Sequence, residues 1–443
     1  MNFLYFCARY AMHSSLMLFF LLGTEMGPYN FDAEGNLSQN PWAWNNIVNM
    51  LYVEQPAGVG FSYSENEDDY KTGDKQAAED AYDLVVAFFE RYPERKSNEF
   101  YISSESYGGH YMPQLALTIL NKDVEKNINF KGFLVGNPFV EPISNYIAMY
   151  ETYYHHGLVK KSLHDKWKAK GCNTMPSRAL NIELCLDIEL LMYAGAGPNI
   201  NPYAVDYPIC VDEKYEQENL SRHKMFSKRG RNSLWSHQGA ELIGIMNPKL
   251  KAHIDTYEPC EEDYFTDYLN REDVQKAIHA DARDSEWRVC SYALNWSLKE
   301  RQTKQMDLYT ELVTGGYGLK MLVFSGDDDS ICALSGTQQW IYNIGVSVNS
   351  NYEWAVWNVD GQTAGYITEF ELDEESGTFY LATLHGAGHE SPAYKPKEAY
   401  DMFERYLTGN WDIRPSHGSK EDSSTIPKSD ISVGIEEMST SAL

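Results

Sequence analysis

The sequence predicts an α/β fold, a mostly parallel sheet with helices on both faces and one insertion. Three observations carry this expectation. Strand-like and helix-like patterns alternate from about residue 47 to 150, and again from about 262 to 410. Three short apolar runs, at 99–103, 319–325 and 378–385, each lead into a turn of small or acidic residues. Between the two alternating stretches, about 156–250, the composition becomes charged and irregular, and Pro176, Pro198, Pro202, Pro208 and Pro248 mark turns.

Taken in order, Glu-Phe-Tyr-Ile-Ser at 99–103 reads as a buried strand and 109–121 as a helix. Between them lies Ser104-Glu105-Ser106-Tyr107-Gly108. So tight a strand-to-helix turn needs small residues two before and two after its centre, and Ser104 and Gly108 supply them. The turn would expose the Ser106 hydroxyl and aim the Tyr107 amide at a developing oxyanion. Alone, the motif is equally well an ordinary joint with a satisfied serine. The run at 319–325 enters Gly326-Asp327-Asp328-Asp329. A carboxylate at a strand's C-terminal end can orient an imidazole, although an Asp run is more often an acidic turn or cap. The run at 378–385 enters Gly386-Ala387-Gly388-His389, whose small residues let a loop bring the histidine over the sheet edge. Ser106, Asp329 and His389 stand in the chain order of an α/β-hydrolase triad, each just after a strand, and three coincident strand-end motifs are a poor match to chance.

Other blocks extend the pattern: Thr-Glu-Met-Gly-Pro-Tyr at 24–29, Asn-Pro-Trp-Ala-Trp-Asn at 40–45, Val-Glu-Gln-Pro-Ala-Gly-Val-Gly-Phe-Ser-Tyr at 53–63, Val-Gly-Asn-Pro at 135–138 and His-Gly-Leu at 156–158. With 105–111, 326–329 and 386–389, and Pro392 behind, they resemble the serine carboxypeptidase family over about residues 24–409. These are peptidases that trim residues from peptide C-termini. The resemblance implies an α/β-hydrolase fold with a core at 24–155 and 251–412 and an inserted lid at 156–250. It implies acidic-pH release of C-terminal residues through an acyl-enzyme, with Ser106, His389 and Asp329, rather than Asp327, as the triad. Glu105 and Glu25 match a carboxyl pair that shares a proton and donates it to the substrate carboxylate. Glu390 would lie near the pocket for the last residue of the substrate, favouring Lys or Arg, and Cys332 would place a thiol near that pocket. Cys172–Cys185 and Cys210–Cys260 are the implied disulfides.

One family motif is largely absent. Ser14-Ser15 resemble the tail of W-L-N-G-G-P-G-C-S-S, but Ala-Arg-Tyr-Ala-Met-His at 8–13 stands where N-G-G-P-G-C would be. That segment gives the family one oxyanion amide and the asparagine that holds the substrate carboxylate, and one lost oxyanion donor typically costs about 100- to 1,000-fold in kcat. With His13 at the cysteine position, Cys290 is expected to lack its partner. Residues 1–23 therefore read as an atypical, truncated or altered N-terminal segment, with no counterpart to the family's first strands. The apolar run at 16–23 is too short to span a bilayer and has no clear cleavage site after it, so it reads as the remnant of a buried region.

The 443 residues, 43% of them apolar, can bury a large core. A net charge of −27 argues against nucleic-acid and anionic-membrane partners. None of the seven cysteines has C-x-x-C spacing, so no metal or cofactor is expected. Sequons at Asn36, Asn219 and Asn295 fit the secretory pathway, with a secreted or vacuolar/lysosomal destination. The basic run Arg222, His223, Lys224, Lys228, Arg229 and Arg231 reads as a solvated loop, and 413–443 as a disordered tail. The expected partner is a peptide with a free C-terminus. A homodimer is a candidate assembly. Two other readings stay open: an acyltransferase or esterase, since alcohols also resolve an acyl-enzyme, and a catalytically weak binding or stabilising protein on the same scaffold.

Overall fold

The structure, a computed structural model, describes residues 3–7, 25–211 except 198, and 257–411 except 281–285, 290, 292 and 374; at 3–7, 175, 176 and 179 it describes backbone alone. The central sheet has eight strands: β1 Phe3–Cys7, β2 Asn49–Tyr52, β3 Glu99–Glu105, β4 Phe130–Gly136, β5 Leu319–Gly326, β6 Ala355–Val359, β7 Gln362–Phe370 and β8 Gly377–Leu384. Their order across the sheet is β6-β7-β8-β5-β4-β3-β1-β2. From β8 to β2 every pairing is parallel, and β6, β7 and β8 pair antiparallel at one edge. This is the expected mostly parallel α/β-hydrolase sheet.

Parallel strands buried on both faces need near-continuous apolar sequence. Accordingly Phe100, Tyr101 and Ile102 of β3 and Met321, Leu322 and Val323 of β5 are fully buried. Successive side chains alternate between two cores. Phe100, Ile102, Phe133, Val135, Met321 and Val323 pack on one face with helices α1 Asp74–Arg91 and α2 Gly108–Lys122. Tyr101, Leu134, Leu322 and Phe324 pack on the other with helix Pro396–Thr408, whose Phe403 stacks on Trp44 at 4.0 Å.

The sequence reading of strands at 99–103, 319–325 and 378–385 lies within two residues of β3, β5 and β8 at each end. Two features were not expected. Phe3–Cys7 forms a strand between β3 and β2, although no family strand was anticipated ahead of residue 24. Five consecutive apolar or aromatic residues suit a strand buried on both faces, but a run that short has no period to read. The antiparallel β6–β7 hairpin turns at Asp360-Gly361, both with positive φ (+50° and +74°), the backbone of a two-residue hairpin turn.

Between β4 and β5 the chain leaves the sheet through helices α3 Pro142–His155, α4 Lys161–Ala169, α5 Met175–Leu180 and α6 Ile182–Ala196. Tyr150, Tyr153, Trp167, Ile188 and Met192 form a separate core there. Within it Arg178 pairs with Glu189 through two hydrogen bonds of 2.8 and 3.1 Å, and Trp167 Nε1 donates to the same carboxylate. Cys172–Cys185 and Cys210–Cys260 are disulfide-bonded, as the resemblance implied. Residues 8–24, Asn219, the basic run at 222–231, Cys290 and the tail at 413–443 lie outside the described residues. Among the described residues no helix is long and apolar enough to cross a membrane.

Candidate active site

β3 ends at Glu105 and α2 begins at Gly108, so Ser106 occupies the turn itself. Its φ is +58°, a left-handed conformation that a non-glycine residue rarely adopts. Three backbone hydrogen bonds hold it there: Ser106 N donates to Gly136 O at 2.9 Å, and Ser106 O accepts from Gly109 N at 3.0 Å and Phe139 N at 2.8 Å. Such strain persists only where the surroundings over-determine it. The flanking residues must be small: a Cβ at Gly109 would meet Phe139 O at 2.5 Å, and one at Gly108 would strike the Ser104 side chain. The Tyr107 amide, at the start of α2, donates no hydrogen bond among the described residues, which leaves it available to an incoming oxygen.

Asp329 and His389 stand after the neighbouring strands β5 and β8, each 1% exposed. His389 Nδ1 lies 2.7 Å from Asp329 Oδ2. The carboxylate also accepts from Asn137 Nδ2 at 2.8 Å, Cys332 N at 3.1 Å and Ile331 N at 2.7 Å. Hydrogen bonds of this kind fix the direction of the carboxylate. Asp327 points elsewhere, to the exposed His385 Nδ1 at 2.7 Å and to Gly386 N at 2.6 Å. His389 is fixed from the far side as well: its backbone N donates to Tyr203 O at 2.7 Å and the Tyr203 ring lies 5.3 Å from the imidazole. The other ring nitrogen, Nε2, is buried and makes no hydrogen bond among the described residues. The structure therefore joins Asp329 to His389 and sets Ser106 on its turn, without a hydrogen bond between Ser106 and His389. In free enzymes such contacts are often long and tighten only with substrate.

Glu105 is 2% exposed and its Oε1 lies 3.7 Å from His389 Nε2. Glu390 comes to the same place: one polar atom each of Glu105, His389 and Glu390 lie within 4.8 Å of one another. The Cys332 thiol forms a similar group with Asp329 and His389. Glu25 is buried at 3%, with its carbonyl accepting from Asn40 Nδ2 at 3.2 Å. Asn36 and Asn295 are exposed. Sequence reasoning assigned no role to Asn137, which is fully buried at φ +39° and bridges Asp329, Gly326 N and Ser391 Oγ. Its signal was the block at 135–138, ending the strand between those of Ser106 and Asp329.

A family profile described as serine carboxypeptidase matches residues 14–409. Serine carboxypeptidase-like 26 of Arabidopsis thaliana is 33% identical over 391 residues, covering 86% of this chain and 77% of the relative. Serine carboxypeptidase-like 27 of the same plant is 31% identical over 390 residues, covering 86% and 76%. Among solved structures, Kex1Δp, a prohormone-processing carboxypeptidase from Saccharomyces cerevisiae, aligns with a TM-score of 0.68 at 16% identity, covering 92% of this chain and 83% of the other. At that identity the likeness concerns the fold.

Proposed function

The chain belongs to the serine carboxypeptidase family, and from that premise we propose that it releases C-terminal residues from peptides through an acyl-enzyme on Ser106. The observation that carries the reading is the 2.7 Å Asp329–His389 contact at two adjacent strand ends, beside a strained serine turn. Ser106 Oγ attacks the carbonyl carbon of the last peptide bond and His389 Nε2 takes its proton. Asp329 stabilises the imidazolium through Nδ1. The oxyanion accepts from the Tyr107 amide. The C–N bond then breaks, His389 returns the proton to the leaving amine, and the C-terminal residue departs. Water, deprotonated by His389, attacks the ester; the C–O bond to Ser106 then breaks, His389 returns the proton to Ser106 Oγ, and the shortened peptide leaves.

A free carboxylate must be met by a proton donor. Glu105 with Glu25 sharing one proton supplies it, which restricts binding to acid pH. Glu390 and Cys332 lie beside the pocket for the departing residue, and Glu390 favours Lys or Arg there. The two disulfides and the exposed sequons at Asn36 and Asn295 agree with a secreted or vacuolar/lysosomal glycoprotein. The residues at 8–13 support a slow enzyme, since one oxyanion donor fewer costs about 100- to 1,000-fold in kcat.

A fluorophosphonate probe and a blocked dipeptide assayed at pH 4–7 test the reading. Labelling that disappears in Ser106→Ala, with hydrolysis at acid pH, is the expected result. Labelling with no dipeptide hydrolysis would favour the acyltransferase or esterase, and absence of labelling the binding protein.

A further inference from the structure

After α6 the chain returns to the sheet through residues 201–207, which strap across the turn that carries Asp329. Ser330 N donates to Pro202 O at 3.2 Å, Val205 N to Asp328 O at 3.1 Å and Asp206 N to Asp328 Oδ2 at 3.1 Å. The strap thereby carries the Asp206 carboxylate over that of Asp328. His156, immediately past the end of α3, closes a third side, with Nδ1 3.6 Å from Asp206 Oδ1. One ligand atom from each of His156, Asp206 and Asp328 lies within 4.8 Å of the others.

Asp328 makes this more than a surface cluster of acids. It is 4% exposed, and its Oδ1 is buried with no hydrogen bond among the described residues. A buried carboxylate oxygen without a donor is costly. The charges acting on it are the carboxylates of Asp206, Asp327 and Asp329, which add to that cost. Asp206 and His156 open outward, with side chains 75% and 27% exposed, so an ion has a path in from solvent.

We propose that His156, Asp206 and Asp328 form a binding site for a divalent transition-metal ion of the zinc type. One imidazole and two carboxylates make a borderline donor set, suited to such ions rather than to Ca²⁺, which takes six to eight oxygens. Tetrahedral zinc at its usual bond lengths holds its ligands about 3.4 Å apart. The 3.6 Å His156–Asp206 spacing is already close to that, and a water completes the coordination. The bound ion ties together the end of α3, the strap and the turn of the catalytic aspartate. No motif spacing announces the site, because its three ligands come from distant parts of the chain.

The test is calorimetric titration of chelator-treated full-length protein with ZnCl2 at pH 7, with CaCl2 and MgCl2 as comparisons. The expected result is one saturable zinc site, a raised Tm with zinc, and weaker binding of the other two ions. Asp206→Asn and His156→Ala should each weaken zinc binding by about 100-fold or more, since even outer-shell changes at metal sites cost about 10- to 100-fold. Tm in EDTA should match wild type for Asp206→Asn, whose side chain is exposed. Absence of saturable zinc uptake would overturn the proposal. So would uptake unchanged in both variants, which would put the ion on another cluster such as Glu105, His389 and Glu390. Equal affinity for Ca²⁺ would overturn the assigned ion class.

Discussion

At Asn137 a buried amide joins three pieces of the site. Its Nδ2 donates to Asp329 Oδ2, and its Oδ1 accepts from Gly326 N and Ser391 Oγ. Asn137→Ala should therefore orphan buried groups and destabilise the fold by about 1–3 kcal/mol, read as a lower urea midpoint. Asp329→Asn should cut kcat by about 10⁴-fold with little change in KM, because it removes the charge that stabilises the imidazolium and favours the wrong imidazole tautomer. Asp327→Asn, whose side chain bonds to the exposed His385 and to Gly386 N rather than to His389, should keep kcat within a few-fold. Equal losses in the two variants would assign the orienting role to the turn as a whole. Glu105→Gln should flatten the acid side of the peptidase pH profile, and an unchanged profile would remove Glu105 from carboxylate recognition. Ser106, Asp329 and His389 were legible because each follows a strand whose apolar pattern is strong. Asn137 was visible only as part of a block. Its partners lie at 326, 329 and 391, and side-chain bonds across that separation leave no mark in local spacing.

The Ser106 turn works as an element because β3 and α2 are joined with no room to spare. Gly109→Ala would press a methyl group against Phe139 O, whose backbone N is one of the bonds holding Ser106. The expected cost is about 1–3 kcal/mol of stability and a slower rate of probe labelling, since overpacking displaces backbone. Wild-type labelling in that variant would mean that the turn tolerates the shift. At the far edge Gly361, at φ +74°, should lose about 1 kcal/mol on replacement by Ala, measured by thermal unfolding. The same two places separate what the sequence discloses from what it hides. Strands β3, β5 and β8 announce themselves by apolar runs ending in small residues. The β6–β7 hairpin carries a local signal in Asp360-Gly361, which the expectation of a mostly parallel sheet did not use. For β1, five apolar residues do not specify a partner, and its seat between β3 and β2 is a pairing with residues more than forty positions away.

At the scale of the whole molecule, acid pH should favour the folded state. Burial pushes the carboxyl of Glu54 up to about 7, against the bonds it accepts from Trp287 Nε1 and Phe61 N, and pushes Glu261 up to about 7 in the same way. From the usual 4.5 up to 7 the folded chain holds protons that the unfolded chain has released, so stability falls as pH rises. The contribution is complete below 4.5, is lost as pH rises through 7, and is on the order of a few kcal/mol for the pair. Denaturant midpoints should decline from pH 4.5 to 8, and the Glu54→Gln, Glu261→Gln double variant should decline less. The net charge of −27 also penalises compactness at high pH, and parallel declines would assign the whole effect to it. A last consequence concerns how many polypeptides the molecule contains. Cys210–Cys260 bridges 50 positions, with Ser106 before the bridged stretch and Asp329 and His389 after it. A single peptide-bond cut between the two cysteines would yield two chains, one with Ser106 and one with Asp329 and His389, still covalently linked. Such a product runs as one band unreduced and two bands reduced. After reduction only non-covalent contacts, among them the parallel pairing of β4 with β5, would hold the two chains together.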